Sequence, residues 1–224
     1  MKIKKLTILT NQLQEGKDFF TKTLGLKVYE ENDDMFCIQI GWSKLEFKKS
    51  DIPFLYHYCF LIPSNRLPDA LAWMENRVNI LEIENGQRTV NFTEWNADSF
   101  YFYDGSGNLA EFIAHHDLEN TSNKKFEITD ILGINEIGIG TDDVSGVNSF
   151  LEETCQTEFW KGDLDRFGTN GSPKGRFLIT NYNKKETWFP TQIRIKPSPF
   201  EVEIENNGKL YHLEFVDGTL KSNY

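Results

Sequence analysis

One helical stretch followed by three short strand-forming runs occurs twice within the first 115 residues, and this order constrains the fold more than any other feature. Residues 6–9 read as a strand. Leu13, Phe19, Phe20 and Leu24 then recur at helical spacing, and Gly25 suits a helix C-terminus. Residues 27–30, 35–40 and 44–48 alternate like strands, punctuated by Asn32-Asp33-Asp34 and Gly41. The second unit begins at 56–62 and turns at Pro63-Ser64-Asn65. Leu67, Leu71, Trp73, Met74 and Val78 give its helix. Residues 80–83 and 90–92 are weaker strands, and 99–103 with 109–114 form a hairpin across Asp104-Gly105-Ser106-Gly107.

The beginning recurs after a polar stretch. A shift of 131 places Ile3 on Ile134, Leu6 on Ile137, Ile8 on Ile139, Thr10 on Thr141 and Phe19-Phe20 on Phe150-Leu151. A third unit is therefore expected from about Gly133, with further strands at 157–160 and 176–180. The run Gly168 to Gly175 lacks the Gly-Lys-Ser/Thr ending of a phosphate-binding loop and reads as a turn or lid. A last hairpin, 200–205 with 209–215, turns at Asn206-Asn207-Gly208, and no helix is expected after Arg176. The expected fold class is α+β, tandem βαβββ units forming half-open barrels with a degenerate second half. The expected domains are 1–117, a linker at 118–132, and 133–224.

Net charge is −10, with an acidic excess in both halves, so no basic stripe is available for nucleic acid or anionic membranes. No run approaches the roughly 20 apolar residues of a membrane helix, and no leader-type core follows Met1. Cys37, Cys59 and Cys155 are isolated and odd in number, which suits a reducing, cytoplasmic setting. Eighteen Phe, eight Tyr and five Trp are enough to line a cavity as well as fill a core. No Gly-x-Ser-x-Gly elbow or assigned Cys–His pair supports nucleophilic hydrolysis.

Two stretches, Phe19 to Val28 and Phe100 to Ile113, resemble in this order the vicinal-oxygen-chelate superfamily of glyoxalase I, bleomycin- and fosfomycin-resistance proteins and extradiol dioxygenases. The resemblance implies paired units curling into half-open barrels, with ligands on their first and last strands. Carried onto this chain, those positions are Lys5, Glu46, His57 and Glu111. His57 is either such a ligand or a hydrogen-bonded strand histidine. Glu111, among Leu109, Ala110, Phe112 and Ile113, must be paired, protonated or cation-bound, unless its strand is an edge facing water. Glu46, between Lys44 and Lys48, is either a glyoxalase-type ligand or part of a solvated face.

Lys5 departs from the pattern, because an ammonium has no lone pair and repels a divalent ion. It either takes the cation's place beside Glu111 or Glu46, or points outward. Glu136 matches Lys5 under the 131 shift, and His212 follows Gly208 as Glu111 follows Gly107. These two form a second site, a partner to the first, or plain surface. His115 shares parity with Glu111, while His115-His116 otherwise reads as a solvated pair.

The resemblance implies His57, Glu111 and Glu46 around zinc, nickel, manganese or cobalt, with Glu111 or Glu46 relaying a proton in a lyase or isomerase of a small oxygenated substrate. Iron dioxygenase chemistry is disfavoured by the lack of a second histidine. The alternative is a metal-free module that binds or sequesters a small molecule; a third reading makes the second half a partner surface. The chain is expected to act as a monomer or homodimer.

Overall fold

The structure is a computed structural model and describes residues 1–222. The first unit is β1 (Lys2–Thr10), α1 (Leu13–Asp18), a π-helical turn over Phe19–Thr23, then β2 (Val28–Asn32), β3 (Met35–Ile40) and β4 (Ser43–Lys49). The second is β5 (His57–Leu61), α2 (Leu67–Glu75), β6 (Val90–Phe92), β7 (Ala97–Tyr103) and β8 (Leu109–His115). The third is β9 (Gly133–Thr141), α3 (Val144–Cys155), β10 (Phe159–Gly162), β11 (Phe167–Ser172) and β12 (Gly175–Asn181). The chain ends in β13 (Phe200–Asn206), β14 (Lys209–Val216) and β15 (Thr219–Ser222). Among the described residues no helix follows α3, so this last unit is an antiparallel meander.

Strand pairing crosses the division expected at 118–132. One curled sheet has the order β15-β14-β13-β1-β4-β3-β2, and the other β10-β11-β12-β9-β5-β8-β7-β6. The first unit therefore shares a sheet with the last, and the second with the third. In each sheet two first strands run antiparallel at the centre, β1 with β13 and β5 with β9. Three of them are flanked by their unit's parallel last strand, β1 by β4, β5 by β8 and β9 by β12, whereas β13 is flanked by antiparallel β14.

Alternation sorts the side chains. On β5, Tyr58 and Phe60 enter the main core between the sheets, with Ile3, Leu6, Ile8, Phe112, Ile137 and Phe177. Their neighbours Cys59 and Leu61 belong to a separate cluster. The Ser43 hydroxyl ties the layers together. It donates to the Ile3 carbonyl at 2.6 Å and accepts from the Ile134 amide at 2.8 Å. On α3, Val144, Val147, Leu151 and Cys155 form the buried stripe, and the Asp143 side chain caps it by accepting from the Gly146 amide at 2.8 Å.

Two expectations are corrected. The run 168–175 is not a lid but most of a hairpin, β11 and the start of β12. Its Gly, Thr, Asn and Ser residues look loop-like, yet Thr169 and Asn170 are buried. Asn170 donates to the Asn148 side chain at 2.9 Å, and Gly171 at φ +131° allows a backbone conformation other residues rarely adopt. The stretch 118–132 is also more than a linker, since Phe126, Ile128 and Ile131 are buried in the core.

The segment between β12 and β13 lies across the open face of the larger sheet. Trp188 and Ile195 pack there with Tyr101, Leu109 and Leu178. A side chain at Gly138 would come within 2.6 Å of the Trp188 ring, so this strand position must stay bare for the segment to seat. No helix among the described residues is long and apolar enough to cross a membrane.

Because both central strand pairs span residues 117–133, a fragment ending at Asp117 should lose the partners of β1 and β5 together. The expected outcome is no cooperative thermal unfolding transition for the fragment, measured by circular dichroism, beside a single cooperative transition for the full chain.

Candidate metal centre

Register places the charged residues of the larger sheet in one row. Tyr101 pairs with Glu111, Glu111 with Cys59, Cys59 with Glu136, and Glu136 with Arg176. Directly paired residues point to the same face, so this row lines the face that the Trp188 segment covers. His57 lies two residues before Cys59 and shares that face.

His57, Glu111 and Glu136 each offer a ligand atom, all within 4.8 Å of one another, and all three residues are buried. His57 Nε2 is 3.5 Å from Glu111 Oε2. His57 Nδ1 lies 3.2 Å from the Leu109 carbonyl. With the proton on Nδ1 donated there, the Nε2 lone pair is left facing the carboxylates. Burial pushes the imidazole down to about 4, so it is neutral at physiological pH.

Both carboxyls are shifted upward. Burial, and then the charge of Glu136, hold Glu111 well above the ordinary range, while Ser99 and Tyr101 oppose the shift. Burial raises Glu136, and Arg176 opposes it. Arg176 Nε is 3.4 Å from Glu136 Oε1, close enough for charge attraction but not aligned as a hydrogen bond. Among the described residues Glu111 Oε1 also has no hydrogen-bond partner. Buried acceptors without donors are rare, and a cation would satisfy both.

Arg176 is fully buried. It lies over the Trp160 ring at 4.2 Å and near Trp95 at 5.0 Å, and it donates to Asn135 Oδ1 at 3.2 Å and to His115 Nε2. Cys59 sits between the carboxylates, and burial with their charges keeps its thiol protonated. A cavity of about 240 Å³ opens onto the three ligand residues. Phe92, Trp95, Tyr101, Phe167, Leu178, Lys185, Trp188 and Phe189 complete its walls.

Of the residues singled out in the sequence, His57 and Glu111 meet, and Glu136 joins them across the β5–β9 pair. Glu46 does not belong to this cluster: it lies on the other sheet, with Lys5 Nζ 2.9 Å from its Oε2. His212 does not meet Glu136 either. It is half-exposed on β14, its Nδ1 3.5 Å from Glu203. His115 binds Arg176, and His116 pairs with Asp98 at 2.8 Å. Arg176 carried a readable signal, a charge directly before the apolar run Phe177-Leu178-Ile179. Lys185 and Trp188 carried none, because they reach the site from an irregular segment.

The smaller sheet repeats the row with different chemistry. Glu46 pairs with Thr7, Thr7 with Glu201, and Lys5 stands two residues before Thr7 as His57 stands before Cys59. There the carboxylates are met by ammonium groups. Lys5 and Thr7 bind Glu46, and Lys48 bridges Glu201 at 2.8 Å and Glu46 at 3.9 Å. Lysine thus supplies the positive charge at this second position.

No family model matches the sequence, and no curated protein matches it. Solved structures do. A putative dioxygenase from Bacillus subtilis superposes with a TM-score of 0.57 and 16% identity, covering 80% of this chain and 63% of its own. The chain has the vicinal-oxygen-chelate fold. It spans 63% of the length of that dioxygenase. Other solved structures align with about half of this chain. One is described as a glyoxalase/bleomycin resistance protein/dioxygenase from Alicyclobacillus acidocaldarius, at 20% identity over 51% of this chain and 92% of that one, TM-score 0.39. Another is a lactoylglutathione lyase from Agrobacterium tumefaciens, at 14% identity over 49% and 90%, TM-score 0.39.

The raised Glu111 carboxyl fixes the sign of a pH effect. The folded chain holds this proton more tightly than the unfolded chain. The stabilisation is complete below the ordinary glutamate value of 4.5 and is lost as pH rises through the elevated folded value. Metal-free Glu111→Gln should therefore melt higher than the wild type at pH 8, by at least about 2–4 °C, the shift that about 1 kcal/mol produces in a domain of this size. In the smaller sheet Lys5→Met should cost about 1–3 kcal/mol by removing a charged partner of buried Glu46. Urea unfolding measures it.

Proposed function

We propose that the chain is a metal-dependent enzyme of the lyase or isomerase type, acting on a small oxygenated molecule bound above His57, Glu111 and Glu136. The observation that carries this reading is the convergence of three buried ligand atoms, beside two carboxylate oxygens without a hydrogen-bond partner among the described residues, at the floor of a small aromatic cavity. One imidazole with two carboxylates suits zinc, nickel, manganese or cobalt, and three protein ligands leave positions open. The set differs from the two-histidine, one-carboxylate set of iron oxygenases.

When bound, such an ion supplies a Lewis acid that polarises a substrate oxygen. The residues of the chain do the rest. The Leu109 carbonyl orients His57, and Arg176 draws Glu136 away from full charge repulsion with Glu111. The Glu111 carboxyl oxygen not taken by the ion would hold a proton at the floor of the cavity. Burial and the nearby Glu111 keep the Tyr101 phenol protonated, so it remains a hydrogen-bond donor. The rings of Phe92, Trp95, Phe167 and Trp188 limit water.

The second reading, metal-free binding of a small molecule, is favoured by one observation in the smaller sheet. Lys5 and Lys48 there meet the carboxylates that would otherwise call for an ion. The metal centre, by contrast, draws all its ligands from one chain, which supports a site complete in the monomer. Three unpaired, buried cysteines support a reducing compartment such as the cytoplasm.

Elemental analysis of the purified protein after incubation with zinc, nickel or manganese tests the reading. The expected result is one divalent ion per chain, with affinity lowered at least tenfold in His57→Ala, Glu111→Gln and Glu136→Gln. Unchanged affinity in the three variants would overturn this ligand set, and finding no metal at all would leave the metal-free reading. Binding should also weaken as pH falls. The competing protons go first to the carboxylates, because His57 titrates only near 4.

A further inference from the structure

We infer that Lys185 anchors an anionic group of the substrate, so that the cavity selects a small, flat organic anion, a one-ring carboxylate being the simplest case. This rests on reading the cavity above His57, Glu111 and Glu136 as a substrate site. Lys185 is the one lysine or arginine among the residues lining that cavity. Among the described residues no carboxylate lies within 4 Å of its ammonium group, and no side-chain hydrogen bond engages it, whereas Lys5, Lys48 and Arg176 each have a carboxylate at hand.

Its neighbours are aromatic instead. The Lys185 Nζ is 4.6 Å from the centre of the Phe167 ring and 5.5 Å from that of Trp188. The Trp188 ring is in turn 5.3 Å from the His57 ring. One aromatic wall therefore runs from the ammonium to the ligand imidazole. A ring lying along it would present one end to Lys185 and the other to the metal centre.

The turn that carries Lys185 is built rather than loose. The Lys185 amide donates to the Asn181 carbonyl at 2.9 Å, and the Asn181 side chain donates to the carbonyls of Asp142 at 3.1 Å and Asp165 at 3.3 Å. Burial, and then the charge of Arg166, push the ammonium down to about 8. A partly buried cation without a counter-ion, pressed by a second cation, gains free energy from any anion that reaches it.

Arg166 lines an outer hollow of about 650 Å³ that shares Lys185 and Phe189 with the inner cavity. Three acidic residues, Glu82, Glu84 and Glu186, also line this hollow. They are exposed, so water and salt screen them, and discrimination falls to the inner lysine. The inner volume of about 240 Å³ lies below the roughly 300 Å³ at which pockets for drug-sized ligands begin. It therefore limits the ligand to about one ring with its substituents.

Isothermal titration of the full-length, zinc-loaded chain with benzoate and with the neutral, near-isosteric benzamide tests the inference. Benzoate should bind the wild type at least tenfold more tightly than benzamide. Lys185→Gln should abolish that preference while leaving benzamide and zinc affinities within about twofold, and Lys185→Arg should restore it. Lys185→Met serves as a second neutral variant should Lys185→Gln unfold. Equal binding of the two probes, undiminished benzoate binding in both neutral variants, or no benzoate binding by the folded wild type would overturn the inference. Zinc affinity measured on the same preparations separates the two readings. A wild type that binds none of zinc, nickel and manganese sinks the metal centre, while a Lys185-dependent preference on the metal-free chain would still uphold the anion anchor.

Discussion

The antiparallel pairing of β5 with β9 is the constraint on which the site depends. It sets Cys59 opposite Glu136 while the parallel pairing of β5 with β8 sets Cys59 opposite Glu111. Strand spacing of about 4.8 Å then fixes the carboxylates on either side of one small residue. His57 follows on the same face two residues away. A one-residue slip at this seam would turn Glu136 into the inter-sheet core and bring Ile137 or Asn135 to the cavity. The register is held by the apolar partners of the opposite face, Tyr58 with Ile137 and Phe60 with Ile134, all buried. The hydrophobic core between the sheets thus determines the geometry of a polar site that it does not touch.

The two sheets give different answers to the same electrostatic problem. Each places carboxylates in a row across its central strands. In the smaller sheet Lys5 and Lys48 neutralise buried Glu46 and exposed Glu201 at the cost of side-chain order, the lysines themselves staying partly in water. In the larger sheet the row is fully buried, and among the described residues only Arg176 forms an ion pair with either of its two carboxylates. Desolvation makes that arrangement expensive with both groups ionised, which is why their protons are held so firmly. A divalent cation or a bound proton relieves it. One half of the fold is self-neutralised, and the other retains an unmet demand for positive charge.

The covering segment between β12 and β13 completes the contrast. It lays Trp188 over Gly138 and brings Lys185 to the rim of the larger sheet's cavity. The open face of a curled sheet becomes an enclosed aromatic pocket without a second subunit. Its polar points are few and far apart, one ammonium at the mouth and three candidate ligand atoms at the floor, an arrangement suited to orienting a small molecule.

Much of this was legible in the order of residues. The βαβββ rhythm, the 131-residue recurrence and the hairpin turning at Asp104 to Gly107 specified the element types and the α+β class, because period and turn chemistry are local properties. Glu111 stood out as a carboxylate on an apolar strand, and Lys5 as a cation at a ligand position. Sequence also left Glu46 beside His57 and Glu111, and paired Glu136 with His212, since nothing local says which first strands meet. Loop-like Thr169 and Asn170 hid a buried strand for a similar reason: their hydrogen-bond partners, Lys161 and Asn148, lie outside the loop-like run. The sequence by itself therefore determined which residues face the same side of each strand. Only the tertiary structure decided that β5 lies against β9 and β1 against β13. That choice depends on burying two sheets' worth of apolar side chains at once, a non-local free energy that no window of sequence contains.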